Sequence, residues 1–310
     1  MKNIAVVGGG NWGKNLIRTF FELSALAAIV ETSESLREEI KSTYPSLPVY
    51  STIESVKKDP SIQGVVVATP ASTHFEIAKE CLTYGKDVFI EKPMTLSSKD
   101  GESLEKIAQL NECILMVGHL LLYQPAIQKM KAVLDSGEIG QIVSLHQQRL
   151  KLGRVRSVEN VLWSFGVHDL AVFLYLIGEQ PSEMQCVGQN VLQPSIEDDV
   201  YLHLTFENGV KAHLHTSWLY PEVVRKLVVI GTMGMLVYDE VSQKVTLHQK
   251  GIHSDLSNRD EGHKIIFHGE SKPLTIECQH FLECIEKRKQ PISDGANGTA
   301  VVRILEKALR

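Results

Sequence analysis

The sequence has 310 residues, which is enough for two domains of ordinary size. Its net charge of −5 argues against a nucleic-acid partner, because phosphate binding needs clustered lysine and arginine. The five cysteines form no CxxC pair, so we expect neither a disulfide framework nor a metal site. We predict a cytoplasmic protein without a membrane partner, because we find no signal peptide and no apolar run of about 20 residues.

In the first third of the chain, short apolar runs alternate with helical patterns. Runs that are apolar on both faces and bounded by turn residues are typical of buried parallel strands. One intervening helix is expected to end at Gly85, and another to begin at Ser97 or Ser98. This alternation predicts an α/β fold with a Rossmann-type, doubly wound parallel sheet. The predicted strands are Ile4–Val7, Leu26–Val30, Gly64–Ala68, Val88–Ile90 and Ile114–Val117.

After about residue 120 the pattern changes to strands with few helices between them. The dipeptide Asn208-Gly209 is a strong hairpin signal. We therefore predict a C-terminal α+β domain with a large, mostly antiparallel sheet and helices on one face. The predicted strands are Met184–Val191, Val200–Phe206, Val210–Leu219, Lys226–Ile230, Leu236–Tyr238 and Val245–His248. The predicted helices are Ala126–Asp135, Val167–Ile177, Ile276–Lys287 and Thr299–Leu309.

The first predicted strand runs directly into a GxGxxG motif formed by Gly8, Gly10 and Gly13, with Asn11 and Trp12 between the last two glycines. The first glycine allows a tight turn, the second lets the backbone approach a pyrophosphate, and the third allows the helix to pack closely on the strand. The helix N-terminus attracts the negative charge of the pyrophosphate. A strand before the motif and a helix after it make this a predicted dinucleotide site.

An acidic residue, Glu31, ends the second predicted strand, about 20 residues after Gly10. A carboxylate at this position can accept both hydroxyls of the adenosine ribose and would repel a 2′-phosphate. No arginine follows immediately, so the sequence favours NAD over NADP as the cofactor. We predict an NAD-binding domain over residues 1–118 and a second domain over residues 119–310, with the last helix free to pack back on the first domain.

Two further loops follow predicted strands. Ligands of open α/β sheets bind beyond the carboxyl ends of the strands, so Thr69 and Pro70 are predicted to line the cofactor site. His74 either joins them or is a solvent-exposed residue at the start of the next helix. Glu91 and Lys92 follow the next strand, where a lysine taken alone is usually a surface charge.

Four segments together resemble the Gfo/Idh/MocA family of sugar and polyol dehydrogenases. They are GGGNWG near the N-terminus, ATPASTH at residues 68–74, EKP at 91–93 and GVHDLAVFLYLIG at 166–178. The resemblance covers nearly the whole chain. The order and spacing of the segments are much more specific than any one of them.

The resemblance implies roles for particular residues. Lys92 would lie near the nicotinamide and the substrate, Glu91 would lie beside the cofactor, and His168 would transfer the proton. The family commonly has an aspartate four residues before that histidine, where this sequence has Ser164, which we count as a substrate-binding candidate. Asp169 is no obvious substitute, because adjacent helical side chains do not face each other. A histidine with a pKa near ~6.5 can accept the proton of a secondary alcohol, and a lysine can stabilise the developing alkoxide.

Part of the sequence resembles the branch of the family that acts on nucleotide-activated sugars. This implies oxidation of the 3-hydroxyl of a UDP-N-acetylhexosamine or a related uronic acid. Arg149 and Arg154, with Lys151 and Arg156, are then either contacts of a diphosphate or a solvated basic loop. His119 follows the last Rossmann strand and is a candidate to reach the substrate. The segments that carry this resemblance are residues 118–125, 149–153 and 160–163.

Other interpretations stay open. The chain could be an inositol or free-sugar dehydrogenase, or a reductase on the same scaffold that acts on an imine, a tetrapyrrole or an aromatic diol. A sensor without chemistry would not need both Lys92 and His168. The family also implies a homo-dimer or homo-tetramer formed through the C-terminal sheet. His213 and His215 share one strand face and are interpreted as sheet-face residues rather than metal ligands.

Overall fold

The chain is described here by a computed structural model that covers residues 3–270 and 272–308. It forms two compact units, of which the first contains residues 3–120 and 272–303 and the second residues 121–270 and 304–308. The second unit is smaller than the second domain that we expected over residues 119–310. Residues 272–303 belong to the first unit, because their side chains pack on its sheet and helices.

The sheet of the first unit has six parallel strands in the order β3-β2-β1-β4-β5-β6. This is the order of a doubly wound dinucleotide-binding fold, so the predicted fold class is confirmed. The two-residue β3 was not predicted, since a pair of half-buried residues carries no periodic signal. The strands are β1 (Ile4–Val7), β2 (Leu26–Val30), β3 (Val49–Tyr50), β4 (Gly64–Val67), β5 (Asp87–Ile90) and β6 (Leu115–Val117).

Helices connect these strands, and their apolar residues complete a continuous core. The four residues of β1 and the four of β4 are all buried, as expected of central strands covered on both faces. The helices are α1 (Gly13–Glu22), α2 (Glu34–Thr43), α3 (Glu54–Lys57), α4 (Ala71–Thr83) and α5 (Ser98–Leu110).

The second unit is built on an eight-stranded sheet in the order β14-β13-β12-β11-β7-β10-β9-β8. All neighbouring strands are antiparallel except β7 and β10, which run parallel, so the predicted mostly antiparallel sheet is confirmed. The strands are β7 (Ile142–Leu152), β8 (Pro181–Gln189), β9 (Asp199–Phe206), β10 (Lys211–Ser217), β11 (Leu219–Gly231), β12 (Met235–Asp239), β13 (Lys244–Ile252) and β14 (Asn258–His268).

Two strands of this sheet were missed from sequence. The central strand β7 hides its alternation, because the buried positions on it include Gln147 and Arg149 rather than apolar residues alone. The edge strand β14 is mostly polar and exposed, so it lacks a buried face that a pattern could reveal. The segment predicted as Val210–Leu219 is also divided at the buried Trp218, where β10 ends and β11 begins.

Two helices accompany the sheet of the second unit, α6 (Pro125–Asp135) and α7 (Val167–Ile177), close to the predicted bounds. A single π-helical turn, Leu162–Gly166, leads directly into α7. The helix α7 packs against β7 and α6, and Gly178 ends it in the left-handed conformation at φ 82°.

The chain then enters α8 (Pro273–Lys287) and α9 (Gly295–Ala308), each of which begins a few residues before the predicted start. The predicted end of the last helix, Leu309, lies outside the described residues. In the first unit, the ring of Phe281 on α8 lies 5.7 Å from that of Phe89 on β5, and Ser293 donates a hydrogen bond to the carbonyl of Val117 at 2.6 Å. Within residues 3–270 and 272–308, no helix has the length and apolar character needed to span a bilayer.

Candidate active site

The glycine-rich turn between β1 and α1 is closed on one side and open on the other. Gly8 has φ 102°, and a Cβ atom added to it would lie 2.6 Å from the carbonyl oxygen of Ala68. A Cβ added to Gly13 would lie 2.1 Å from the carbonyl oxygen of Gly8. A Cβ added to Gly10 would have no atom within 4 Å, and this glycine is exposed. The turn therefore packs tightly on the sheet while its outer backbone is accessible to a pyrophosphate.

The Glu31 carboxylate is held beside this turn. Its Oε2 accepts a hydrogen bond from the backbone N–H of Gly9 at 2.6 Å, and its Oε1 accepts one from the N–H of Ser33 at 2.8 Å. The guanidinium of Arg37 donates instead to the backbone carbonyl oxygens of Glu31 and Thr32, at 3.1 and 2.6 Å. An oriented carboxylate at the end of β2 fits the ribose of NAD and disfavours a 2′-phosphate.

His74 joins the two loops that follow β4 and β5. It is 1% exposed, so the alternative of a solvent-exposed residue is wrong. Its Nε2 lies 2.8 Å from the carbonyl oxygen of Thr69, and its Nδ1 lies 2.9 Å from that of Pro93. Burial lowers the pKa of His74, against the two backbone hydrogen bonds that raise it. The side chain positions Thr69 and the EKP segment from behind, while Pro70 is exposed.

Glu91 connects the EKP segment to the glycine-rich turn. Its Oε1 accepts a hydrogen bond from the indole Nε1 of Trp12 at 2.5 Å, and its Oε2 lies 3.3 Å from the backbone N–H of Lys92. Burial raises the pKa of Glu91 to about 7, although the bond from Trp12 and the charge of Lys92 oppose this. Neighbouring Asn11 is exposed, as is the Trp12 ring in part. The indole thus fixes the position of the glycine-rich turn relative to the loop that carries Lys92.

Two buried titratable groups interact with the loop that carries Glu91 and Lys92. Neither ring nitrogen of His119 has a hydrogen-bond partner among the described residues, and burial together with the charge of Lys92 lowers its pKa to about 3. Both carboxyl oxygens of Glu277, on α8, are likewise buried without a partner in the described chain. Burial raises the pKa of Glu277 well above its usual range, and the Glu91 carboxylate adds to this. Sequence reasoning missed Glu277, although an acid on the apolar face of a helix was a usable signal.

The second unit holds the remaining candidates at the start of α7. His168 is half-buried in the first turn of this helix, directly after the π-helical turn. Ser164 lies within that turn, where its backbone N–H donates to the carbonyl of Asn160 at 3.1 Å and its Oγ donates to that of Val161 at 3.4 Å. π-helical turns are rare and occur often at functional sites.

The structure gives Arg149 a different environment from the expected diphosphate contact. Arg149 is 7% exposed, and its guanidinium donates to Asp169 and Glu240 inside the second unit, so the expectation of a phosphate contact is not supported. Arg154 and Arg156 are exposed on the loop that follows β7. The substrate contacts of Arg154, Ser164 and His119 stay predictions.

Histidines cover the outer face of the large sheet. Nδ1 of His203 lies 2.7 Å from Nδ1 of His213 on the neighbouring strand. His215 stacks on Tyr201 with ring centroids 3.9 Å apart and lies 3.2 Å from a carboxylate oxygen of Asp199. Among the residues that the structure describes, no cluster of three or more histidine, cysteine or acidic side chains is arranged to hold a metal ion.

A Rossmann unit with an oriented carboxylate at the end of β2, together with a unit built on a large open sheet, is the architecture of an NAD(P)-dependent oxidoreductase. The family comparisons are consistent with this class. The model of the oxidoreductase family with an NAD-binding Rossmann fold matches residues 2–119, and that of the GFO/IDH/MocA C-terminal domain matches residues 127–237. The chain belongs to the Gfo/Idh/MocA family of dehydrogenases.

The similarity to individual relatives extends over most of the chain at low sequence identity. The chain is 24% identical to UDP-N-acetylglucosamine 3-dehydrogenase of Acidithiobacillus ferrooxidans over 96% of this chain and 93% of that enzyme. It is 27% identical to scyllo-inositol 2-dehydrogenase (NAD(+)) of Bacillus subtilis over 79% of this chain and 73% of that enzyme.

Solved structures agree in fold. A structure of the Acidithiobacillus ferrooxidans enzyme superimposes with a TM-score of 0.89 at 23% identity, covering 99% of this chain and 96% of that one. Levoglucosan dehydrogenase in complex with NADH superimposes with a TM-score of 0.86 at 20% identity, covering 98% and 95% of the two chains.

Proposed function

We propose that this enzyme transfers a hydride between the 3-hydroxyl carbon of a UDP-N-acetylhexosamine and NAD. The observation that carries the cofactor part is the Glu31 carboxylate, which two backbone N–H groups orient beside the glycine-rich turn. The substrate part is supported by similarity to UDP-N-acetylglucosamine 3-dehydrogenase along nearly the full length of both chains.

The proposed roles of the residues follow from the chemistry of alcohol oxidation. His168 accepts the proton of the substrate hydroxyl, and the ammonium group of Lys92 stabilises the negative charge that develops on that oxygen. When bound, the nicotinamide supplies the acceptor for the hydride that leaves the carbon. The exposed backbone of the glycine-rich turn and the N-terminus of α1 hold the pyrophosphate, and Glu31 holds the adenosine ribose.

The assay that tests this proposal follows NADH at 340 nm with UDP-N-acetylglucosamine, UDP-N-acetylgalactosamine, free N-acetylglucosamine and inositols. We expect turnover with a UDP-N-acetylhexosamine, and a loss of kcat of about 100-fold or more in His168→Gln. His253→Gln, in an exposed loop of the second unit, is the matched control and should keep the wild-type rate. Equal rates in His168→Gln and wild type would contradict the role of His168.

A second candidate substrate is favoured by the similarity to scyllo-inositol 2-dehydrogenase. An inositol presents the same secondary hydroxyl, so the same residues serve either substrate. Turnover with an inositol and none with the UDP-sugars would replace the substrate part of the proposal while leaving the cofactor part intact. Binding of NAD without turnover of any tested compound would favour a sensor or a different reductase.

We also propose that the protein forms a homo-dimer or homo-tetramer through the outer face of the eight-stranded sheet. Val187 on β8 is 65% exposed and Ile265 on β14 is 58% exposed. The register of the strands places both side chains on the face that carries His203 and His213. Exposed apolar side chains on one sheet face favour burial against a second copy.

A further inference from the structure

Four charged side chains form a connected network of ion pairs inside the second unit. Nε of Arg149 on β7 lies 3.0 and 2.8 Å from the two carboxylate oxygens of Asp169 on α7. Nη2 of Arg149 lies 2.8 Å from Oε2 of Glu240, which follows β12. Nη1 of Arg225 on β11 lies 2.9 Å from Oε1 of the same glutamate. The network therefore contains two positive and two negative charges, which balance each other.

The inner half of this network of ion pairs is deeply buried. Asp169 is 2% exposed and Arg149 is 7% exposed, whereas the side chain of Arg225, at the outer end, is 39% exposed. Buried ion pairs are costly to desolvate, and apolar side chains of similar size often stabilise a fold at least as well. A buried pair at this place is therefore better explained by the geometry that it fixes than by stability.

The pair joins the first turn of α7 to the centre of the sheet. Asp169 directly follows His168 in this turn. Strand β7 is hydrogen-bonded to β11 on one side and to β10 on the other, so its backbone is held from both edges. The single Nε–H of Arg149 is shared between both oxygens of the Asp169 carboxylate, and this charge-assisted contact holds the carboxylate against β7.

The segment before His168 has its own polar contacts, in which the backbone N–H of Trp163 donates to Oδ1 of Asn160 and Nδ2 of Asn160 donates to Oε2 of Glu197. It is a π-helical turn, whose hydrogen bonding is less regular than that of an α-helix. Ser164 stands where the family has an aspartate, and its Oγ makes a long bond of 3.4 Å to a carbonyl within the turn. At Gly166 an added Cβ would lie 2.6 Å from Cδ1 of Leu162, so apolar packing fills this side of the turn.

We propose that Arg149 and Asp169 are positioning residues for His168. By fixing the rotation of the first turn of α7 against β7, they set the direction in which the imidazole points. The pair acts through the backbone of the turn. In this protein, Ser164 occupies the position at which the family commonly has an aspartate. This inference rests on the proposed role of His168 as the base.

The test compares a double variant that keeps the charge balance with two single variants. Arg149→Met with Asp169→Leu removes the inner pair and leaves Glu240 paired with Arg225. Arg225→Met is the matched control, because it removes the outer arginine of the same network and leaves the contact between Arg149 and Asp169 in place. We expect kcat to fall roughly 10- to 100-fold in the double variant, with the KM for NAD unchanged and the pH profile of kcat shifted. The control should keep kcat within about twofold, and Arg149→Lys should fall between the two.

A second readout does not depend on activity. Hydrogen exchange of the backbone amides of residues 167–170, with ¹⁵N signals of the His168 ring, reports the order of the first turn of α7. We expect exchange in this turn to become about tenfold faster in the double variant and to stay unchanged in Arg225→Met. Unchanged exchange and ring signals in the double variant would overturn the inference. So would a rise in exchange throughout the unit, which would indicate a structural pair only. If no sugar is oxidised by the wild type, the proposed function fails, and the exchange data still decide this inference.

Discussion

We expect the choice of cofactor to depend most directly on Glu31. In Glu31→Gln the side chain keeps its shape but loses the charge and one of its acceptor oxygens. We expect the affinity for NAD to fall about tenfold and the discrimination against NADP to shrink, because hydrogen bonds to a charged acceptor are the stronger ones. Titration calorimetry with both cofactors measures this change. An unchanged ratio of the two affinities would mean that another residue sets the preference.

Glu277 has a predictable effect on the pH dependence of stability. Its pKa is raised well above the ordinary value of 4.5, first by burial and then by the Glu91 carboxylate. The unfolded chain therefore loses this proton at lower pH than the folded chain, so the free energy of unfolding decreases as pH rises above that value. The amide of Glu277→Gln does not ionise, so it avoids this loss.

We therefore expect Glu277→Gln to melt at the same temperature as wild type near pH 4 and several degrees higher near pH 8. A gain of 1 kcal/mol corresponds to roughly 2 °C in a chain of this size. Glu286→Gln, at an exposed position of the same helix, is the control and should show no such divergence. A variant that melts below wild type at both pH values would mean that Glu277 is ionised and paired in the folded protein.

At the scale of elements, the packing of α1 on β1 depends on Gly13. A Cβ there would lie 2.1 Å from the carbonyl oxygen of Gly8, so Gly13→Ala must move the helix or the turn. We expect this variant to lose about 1–3 kcal/mol of stability. Gly10→Ala, where the added Cβ has no atom within 4 Å, should unfold as wild type does and bind NAD more weakly. Urea unfolding and NAD titration of both variants check the pair.

Two outcomes would contradict the expectations for these two glycines. If Gly13→Ala were as stable as wild type, the close approach of α1 to β1 would not constrain the fold. If Gly10→Ala lost stability and kept its affinity for NAD, the open side of the turn would not be the pyrophosphate site.

The elements that were predicted correctly are those with a uniform environment. Strands such as β1 and β4 are apolar on both faces, and α7 is apolar around most of its surface, so composition alone revealed them. Strand β7 was missed because its inward positions carry Gln147 and Arg149, and the buried charge of Arg149 is compensated by Asp169 and Glu240. No local pattern reports such long-range pairing.

The same contrast applies to the surroundings of Glu31 and Arg149. Glu31 is positioned by backbone N–H groups near it in the fold, and its role follows from the strand and the glycine motif. Arg149 pairs with the side chains of Asp169 and Glu240, and the sequence contains no motif that relates these three residues. An arginine in a basic-looking segment therefore read as a surface cation.

At the scale of the whole molecule, the outer face of the large sheet should hold two copies together. We expect light scattering after size-exclusion chromatography to show a dimer or a tetramer. Val187→Asp combined with Ile265→Lys places charges on that face and should shift the protein to a monomer. Replacing the exposed Leu256, in a loop outside the strands, with lysine is the control and should leave the mass unchanged. A monomeric wild type would refute the proposed assembly.

Hydride transfer from C3 of the sugar to NAD is the central claim, and isotope transfer tests it most directly. The enzyme would be incubated with NAD and UDP-N-acetylglucosamine that carries deuterium at C3, and the NADH formed would be analysed by mass spectrometry. The account predicts NADH that carries one deuterium, formed more slowly than NADH from the unlabelled sugar if hydride transfer limits the rate. NADH without deuterium, or no NADH from this substrate, would contradict it.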